Sequence, residues 1–76
     1  MTRKQRAAVV ELLRCAADIN NLFGACVELD CLDLEDYAHA AAMWVVHESV
    51  ALDYDCTWDL AYLEAAQRVE EGSFPP

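Results

Sequence analysis

A chain of 76 residues with 57% hydrophobic side chains is long enough for one small core and too apolar for a disordered segment. Its net charge of -9 repels nucleic acid and anionic membrane surfaces, and no apolar run approaches the roughly 20 residues that cross a bilayer. Residues 1–14 carry four cations against Glu11, a local sum of +3, whereas residues 15–76 carry Arg68 against 13 carboxylates, a sum of -12. The expected partner is therefore a protein with a basic surface or groove, with no direct contact to nucleic acid or membrane.

In chain order, Thr2 is placed to cap a first helix over Arg3–Ile19, in which Val9, Leu12, Leu13 and Ala16 follow helical spacing. Arg3, Lys4 and Arg6 stand at the positive end of its macrodipole, each opposed by a few tenths of a kcal/mol. The simple expectation is that they pair with the protein's own acids; the alternative is contact with an anionic ligand or partner. Asn20-Asn21 makes a break, and Gly24 weakens "NLFGACVEL", whose periodicity leaves a short helix and an irregular apolar segment equally open. Asp33 has the chemistry of an N-cap for the next helix, with Asp36 at the capping-box position and Glu35 in the favourable first turn. That helix is expected over Leu34–Leu52, and its apolar run Ala40–Val46 marks it as central or as a subunit interface. "LDYDC" breaks it. Thr57 then caps a last helix over Trp58–Glu71, ended by Gly72 and the prolines beyond. Trp58, Ala61, Tyr62, Ala65, Ala66 and Val69 form its inward stripe, while Leu60 and Leu63 fall outside the stripe and are expected in water. Trp44 and Trp58, both within helical stripes, are expected in the core. The expected fold is all-α: a small helical bundle of three main helices plus the one undecided short segment, in a single domain over 1–76.

The N-terminus has neither the continuous apolar stretch nor the small-residue cleavage site of a signal peptide, so an intracellular, reducing setting is expected. There Cys15, Cys26, Cys31 and Cys56 are free thiols. None forms a C-x-x-C pair, and Cys15 in "LLRCAA" and Cys26 in "FGACVEL" suit small buried apolar sites. His39 and His47 lie eight residues apart on one helix, about 12 Å along the axis and about 80° around it, so they cannot share an ion. Cys31 or Cys56 could be brought to a histidine only by the fold, and no spacing predicts it. "DCLDLED" lacks the glycine and the loop length of an EF-hand. With no glycine-rich oxyanion or phosphate loop, neither catalysis nor a cofactor is expected.

Two resemblances bear on the chain. "DCLD", Asp30 to Asp33, resembles the Asp-Ser-Leu signature of acyl carrier proteins, which are also acidic helical proteins of similar length. Cys31 stands where that family attaches its phosphopantetheine arm to a serine, so carrier function is not implied. "KQRAAVVELLRCAAD" and "LEAAQRVEEGSFPP", about 29 of the 76 residues, resemble the ends of small proteins encoded by temperate phages and prophages. That resemblance implies a mobile-element origin, the cytoplasm of a bacterial host, and a class in which small acidic proteins block host defence nucleases. It carries over no site residue.

The candidate site is therefore a binding face. Glu28, Asp30, Asp33, Glu35 and Asp36 are joined by Asp53, Asp55 and Asp59 around the next inter-helix connection. Carboxylates at such spacings can imitate a nucleic-acid backbone, and Tyr37, Tyr54 and Leu32 beside them offer apolar anchors, as Leu29 and Leu34 could. The expected function is an acidic protein-binding module, in its most concrete form an anti-CRISPR or anti-restriction inhibitor. The alternative is a homodimeric or higher homo-oligomeric structural or regulatory module that uses its apolar central helix as the interface.

Overall fold

The computed structural model describes residues 1–75, and among them the chain is all-α, with no strand. The elements are α1 (Arg3–Ile19), α2 (Leu22–Glu28), a 3-10 turn (Leu32–Leu34), α3 (Glu35–Ala51) and α4 (Trp58–Glu71). α1 and α4 have the bounds that periodicity predicts. The undecided segment is a helix, and the structure shows why. The Asn21 side chain accepts the Gly24 N–H at 3.0 Å, closing an N-cap over the first turn of α2. A Cβ on Gly24 would come within 2.9 Å of Asn21 Nδ2, so the glycine that weakens the helix by propensity is also what lets the cap close.

α1 begins with a reciprocal box: Gln5 N–H donates to the Thr2 hydroxyl, and Thr2 N–H donates to the Gln5 side-chain oxygen. The start of α3 differs from expectation. Leu34, not Asp33, occupies its N-cap position, and neither Leu34 nor Cys31 makes a side-chain cap bond. The 3-10 turn explains the difference. Leu34 N–H donates to the Cys31 carbonyl at 3.0 Å and Glu35 N–H to the Leu32 carbonyl, so local backbone acceptors take the donors a cap would serve. Thr57 does stand at the N-cap of α4 in extended conformation, but its hydroxyl donates to the Asp59 carboxylate instead of accepting from the helix.

The far ends of the helices share one device. α2 passes into Asp30 at φ 53°, with Asp30 N–H on the Val27 carbonyl (3.2 Å) and Cys31 N–H on the Cys26 carbonyl (2.9 Å). α3 passes into Asp53 at φ 56° with the same pair of bonds, to Val50 (3.2 Å) and Ser49 (3.0 Å). α4 does so through Gly72 at φ 80°, and α1 ends on left-handed Asn20 at φ 53°. These are Schellman-type ends, which satisfy carbonyls the helices would leave unpaired.

α1 packs most extensively on α4, and α3 against α4. The core is built from Val9, Leu12, Leu13 and Ala16 of α1, the small face Ala38, Ala41, Ala42 and Val45 of α3, and Ala61, Ala65, Ala66 and Val69 of α4. Alanine on two facing helices lets their backbones approach closely, and the long side chains of α1 fill the remaining space. α4, packed on both α1 and α3, is thus the central helix; α3, expected to be central, packs chiefly on α4 with Ala41, Ala42 and Val45 of its apolar run turned inward. Trp58, expected in the core, is 43% exposed and stacks on the exposed His39 ring at 6.3 Å. Arg68, further along α4, reaches Glu48 in the last turns of α3. α4 therefore starts beside the beginning of α3 instead of folding straight back from its end, and residues 52–57 carry the chain across.

Candidate functional site

All eight carboxylates of the expected face lie on the surface, Glu35 partly covered and the other seven exposed. The path of the chain divides them. Glu28, Asp30, Asp33, Glu35 and Asp36 surround the start of α3, whereas Asp53 closes its end, roughly 25 Å along the axis from Asp36. Asp55 lies in the connection. Asp59, next to the Trp58 that stacks on His39, returns to the first end. Two acidic ends take the place of one continuous face.

Within each end the charges have no ion-pair partner among the described residues, although Glu35 and Asp36 stand in the first turn of α3, where the macrodipole favours them. The ion pairs among the described residues are Arg14–Glu70 at 3.3 Å, Arg68–Glu48 at 2.5 Å and Arg68–Glu64 at 3.2 Å; none involves a carboxylate of the two ends. Asp30 and Asp53 stand at the C-termini of α2 and α3, where the macrodipole opposes a negative charge, and both hold a left-handed backbone. Asp59 differs from the rest. The Thr57 hydroxyl bonded to it, helped by backbone N–H groups of Asp59 and Leu60, holds its carboxyl below the usual range, so it works as the acid of the first turn of α4.

The expected anchors also separate. Tyr37 is half-buried, edge-on to Phe74 at 5.3 Å, and donates its hydroxyl to the Phe74 carbonyl at 3.4 Å; it holds the chain end in place. Leu29 and Leu34 pack against the core, while Leu32 and Tyr54 are exposed at 52% and 47%. The sequence reading missed Phe23 and Val27, which share one exposed face of α2 beside Glu28. Their i, i+4 spacing is the signal, legible only once that segment is known to be helical.

The basic N-terminal turn corrects an expectation. Arg3, Lys4 and Arg6 form no ion pair among the described residues. Arg3, Arg6 and Arg14 line an open groove of about 550 Å³ with Ala7, Val10 and two carboxylates, Glu11 and the Glu70 bound by Arg14. The molecule is only 16 Å across its thinnest dimension, so its depressions are open grooves.

Cys15, Cys26 and Cys31 are poorly suited to nucleophilic chemistry. Burial pushes Cys26 up to about 11, with neighbouring Cys31 adding to the shift. Burial and then nearby carboxylates raise Cys15 and Cys31 as well, through Glu28 beside the first and Asp33 and Asp30 beside the second. Such thiols stay protonated at neutral pH. Among the described residues no three His, Cys, Asp or Glu side chains come together as a metal site, and no helix is long and apolar enough to cross a membrane. Comparison with known protein families, with curated proteins and with solved structures finds no match.

Proposed function

We propose that this chain is an acidic protein-binding module that docks on a basic surface of another protein through its carboxylate ends. The observation that carries the reading is that Glu28, Asp30, Asp33, Glu35, Asp36, Asp53 and Asp55 have no cationic partner among the described residues, although Asp30 and Asp53 stand where helix dipole and backbone both oppose them. Internal stability accounts for Glu35 and Asp36 in the first turn of α3 but not for Asp30 and Asp53, whose placement suits attraction to an external cation. The most concrete form is an inhibitor of a nucleic-acid-binding defence enzyme, anti-CRISPR or anti-restriction, in which the carboxylates occupy a groove built for phosphates. Its support is the charge segregation and the likeness of the chain's ends to phage and prophage proteins. The test is affinity capture from a bacterial lysate at low salt, with elution by salt. The expected outcome is a basic, nucleic-acid-binding protein whose affinity falls steeply with ionic strength and is lost on reversing Asp30, Asp33 and Asp36 to lysine. An affinity indifferent to salt refutes the electrostatic mechanism.

A homo-oligomeric module is the second reading. It draws on Val50 and Leu52, 74% and 64% exposed at the end of α3. Sedimentation separates the two, because charge reversal at Asp30, Asp33 and Asp36 leaves such an oligomer intact.

A further inference from the structure

The two acidic ends differ in what lies between their charges. A groove of about 420 Å³ runs between the 52–57 connection and the outer side of α4, floored by Val45, Tyr54, Leu60 and Leu63 with Asp55 and Glu64 on its rim. Leu60 and Leu63 are 54% and 50% exposed, one helical turn apart on the side of α4 that faces away from the core. A second depression of about 310 Å³ shares Tyr54 and Asp55 with the first and continues to Val50 and Asp53 at the C-terminus of α3. The two form one path, apolar along α4 and negative at its end. Three sources add to that negative potential: the Asp53 and Asp55 carboxylates, both without an ion-pair partner among the described residues, and the dipole of α3. Glu64 on the rim is bonded to Arg68 at 3.2 Å, a cation it shares with Glu48.

We propose that this path, resting on the protein-binding reading above, is the docking site for an amphipathic segment of a partner protein in which aliphatic side chains are flanked by lysine or arginine. The aliphatic side chains cover Leu60 and Leu63, and a cation sits between Asp53 and Asp55 at the end of α3. Charge chooses this occupant. An uncharged apolar segment leaves both carboxylates desolvated without a partner, and an acidic one is repelled. A second copy of the chain would bring a net charge of -9 against -9, and the aliphatic side chains of its one basic helix, Val9, Val10, Leu12 and Leu13, are buried in its own core.

The test titrates a synthetic Leu/Lys amphipathic helical peptide into the full chain, and follows affinity by calorimetry and location by amide and methyl shifts. Shifts are expected at Tyr54, Leu60 and Leu63. The double variant Leu60→Ser/Leu63→Ser, whose changes are solvent-exposed, should weaken binding by about tenfold or more at low and at high salt, as loss of apolar anchors does. Asp53→Asn/Asp55→Asn should weaken it several-fold at low salt and much less at high salt. Asp33→Asn/Asp36→Asn should leave it unchanged. Three results overturn the inference: a lysine-only peptide binding equally well, shifts centred on residues 28–36, or sedimentation showing that the leucines close a dimer. Binding that moves to residues 28–36 overturns this site and leaves the acidic-module reading standing. No binding of any basic peptide, with no salt-eluted partner from lysate, overturns both.

Discussion

Two sets of carboxylates in this molecule obey opposite rules. Glu48 and Glu64 converge on Arg68, whose guanidinium also lies 4.6 Å over the Trp44 ring, and Phe74 packs on that ring at 5.5 Å. There a single cation, 15% exposed, joins α3 to α4 and seals the end of the chain. The carboxylates around residues 28–36 and 53–55 have no such partner and face water. The contrast separates acids that hold the fold together from acids the fold merely carries. Only the second kind is free to be matched by another molecule.

The largest effect should come from the inner set. Arg68→Ala removes two ion pairs and a cation–π contact at once and leaves Glu48 partly covered, so it should lower unfolding free energy by about 2–3 kcal/mol in chemical denaturation. Asp33→Asn, the same loss of one charge in the outer set, should change it by less than about 0.5 kcal/mol. Equal losses at the two positions would erase the distinction. A smaller effect, of opposite sign, is expected at Asp53. Asp53→Gly relieves a left-handed aspartate at the negative end of α3 and should raise unfolding free energy by up to about 1 kcal/mol, read as an upward shift in Tm.

The smallest and most selective effect is with pH. The Arg68 hydrogen bonds hold the Glu48 carboxyl below the usual range. A depressed folded value means stability that is present above the unfolded carboxylate pKa and is lost as pH falls through the folded one. Wild-type protein should therefore lose stability on the acid side of that window. Glu48→Gln, less stable near neutrality, should show a shallower acid limb in a series of thermal melts.

The helices themselves were legible, because α1 and α4 carry regular stripes between recognisable ends. Where the structure departs from these patterns, the cause is local competition. Asp33 has the chemistry of a cap, but a 3-10 turn reached the donors first, and Thr57 gave its hydroxyl to Asp59. Trp58 fits an inward stripe by spacing, yet as the first residue of α4 it overhangs the core and rests on His39. The layout of the acids was legible only in part. The length of α3 sets Asp53 far from Asp36, but where Asp55 and Asp59 stand depends on the route of residues 52–57, and no periodicity encodes that route. The second depression, shared through Tyr54, likewise exists only because the connection crosses the molecule.

That α1 makes its most extensive contacts with α4, the last of the described helices, has a kinetic consequence. The segments that complete the core are separated by the whole of α2 and α3, so the entropy of closing a loop of that size must be met before the contacts that repay it exist. A ribosome extruding this chain releases α1 well before its main partner has been made. Val9, Leu12 and Leu13 then wait in water until residues 61–69 emerge, so this core closes late.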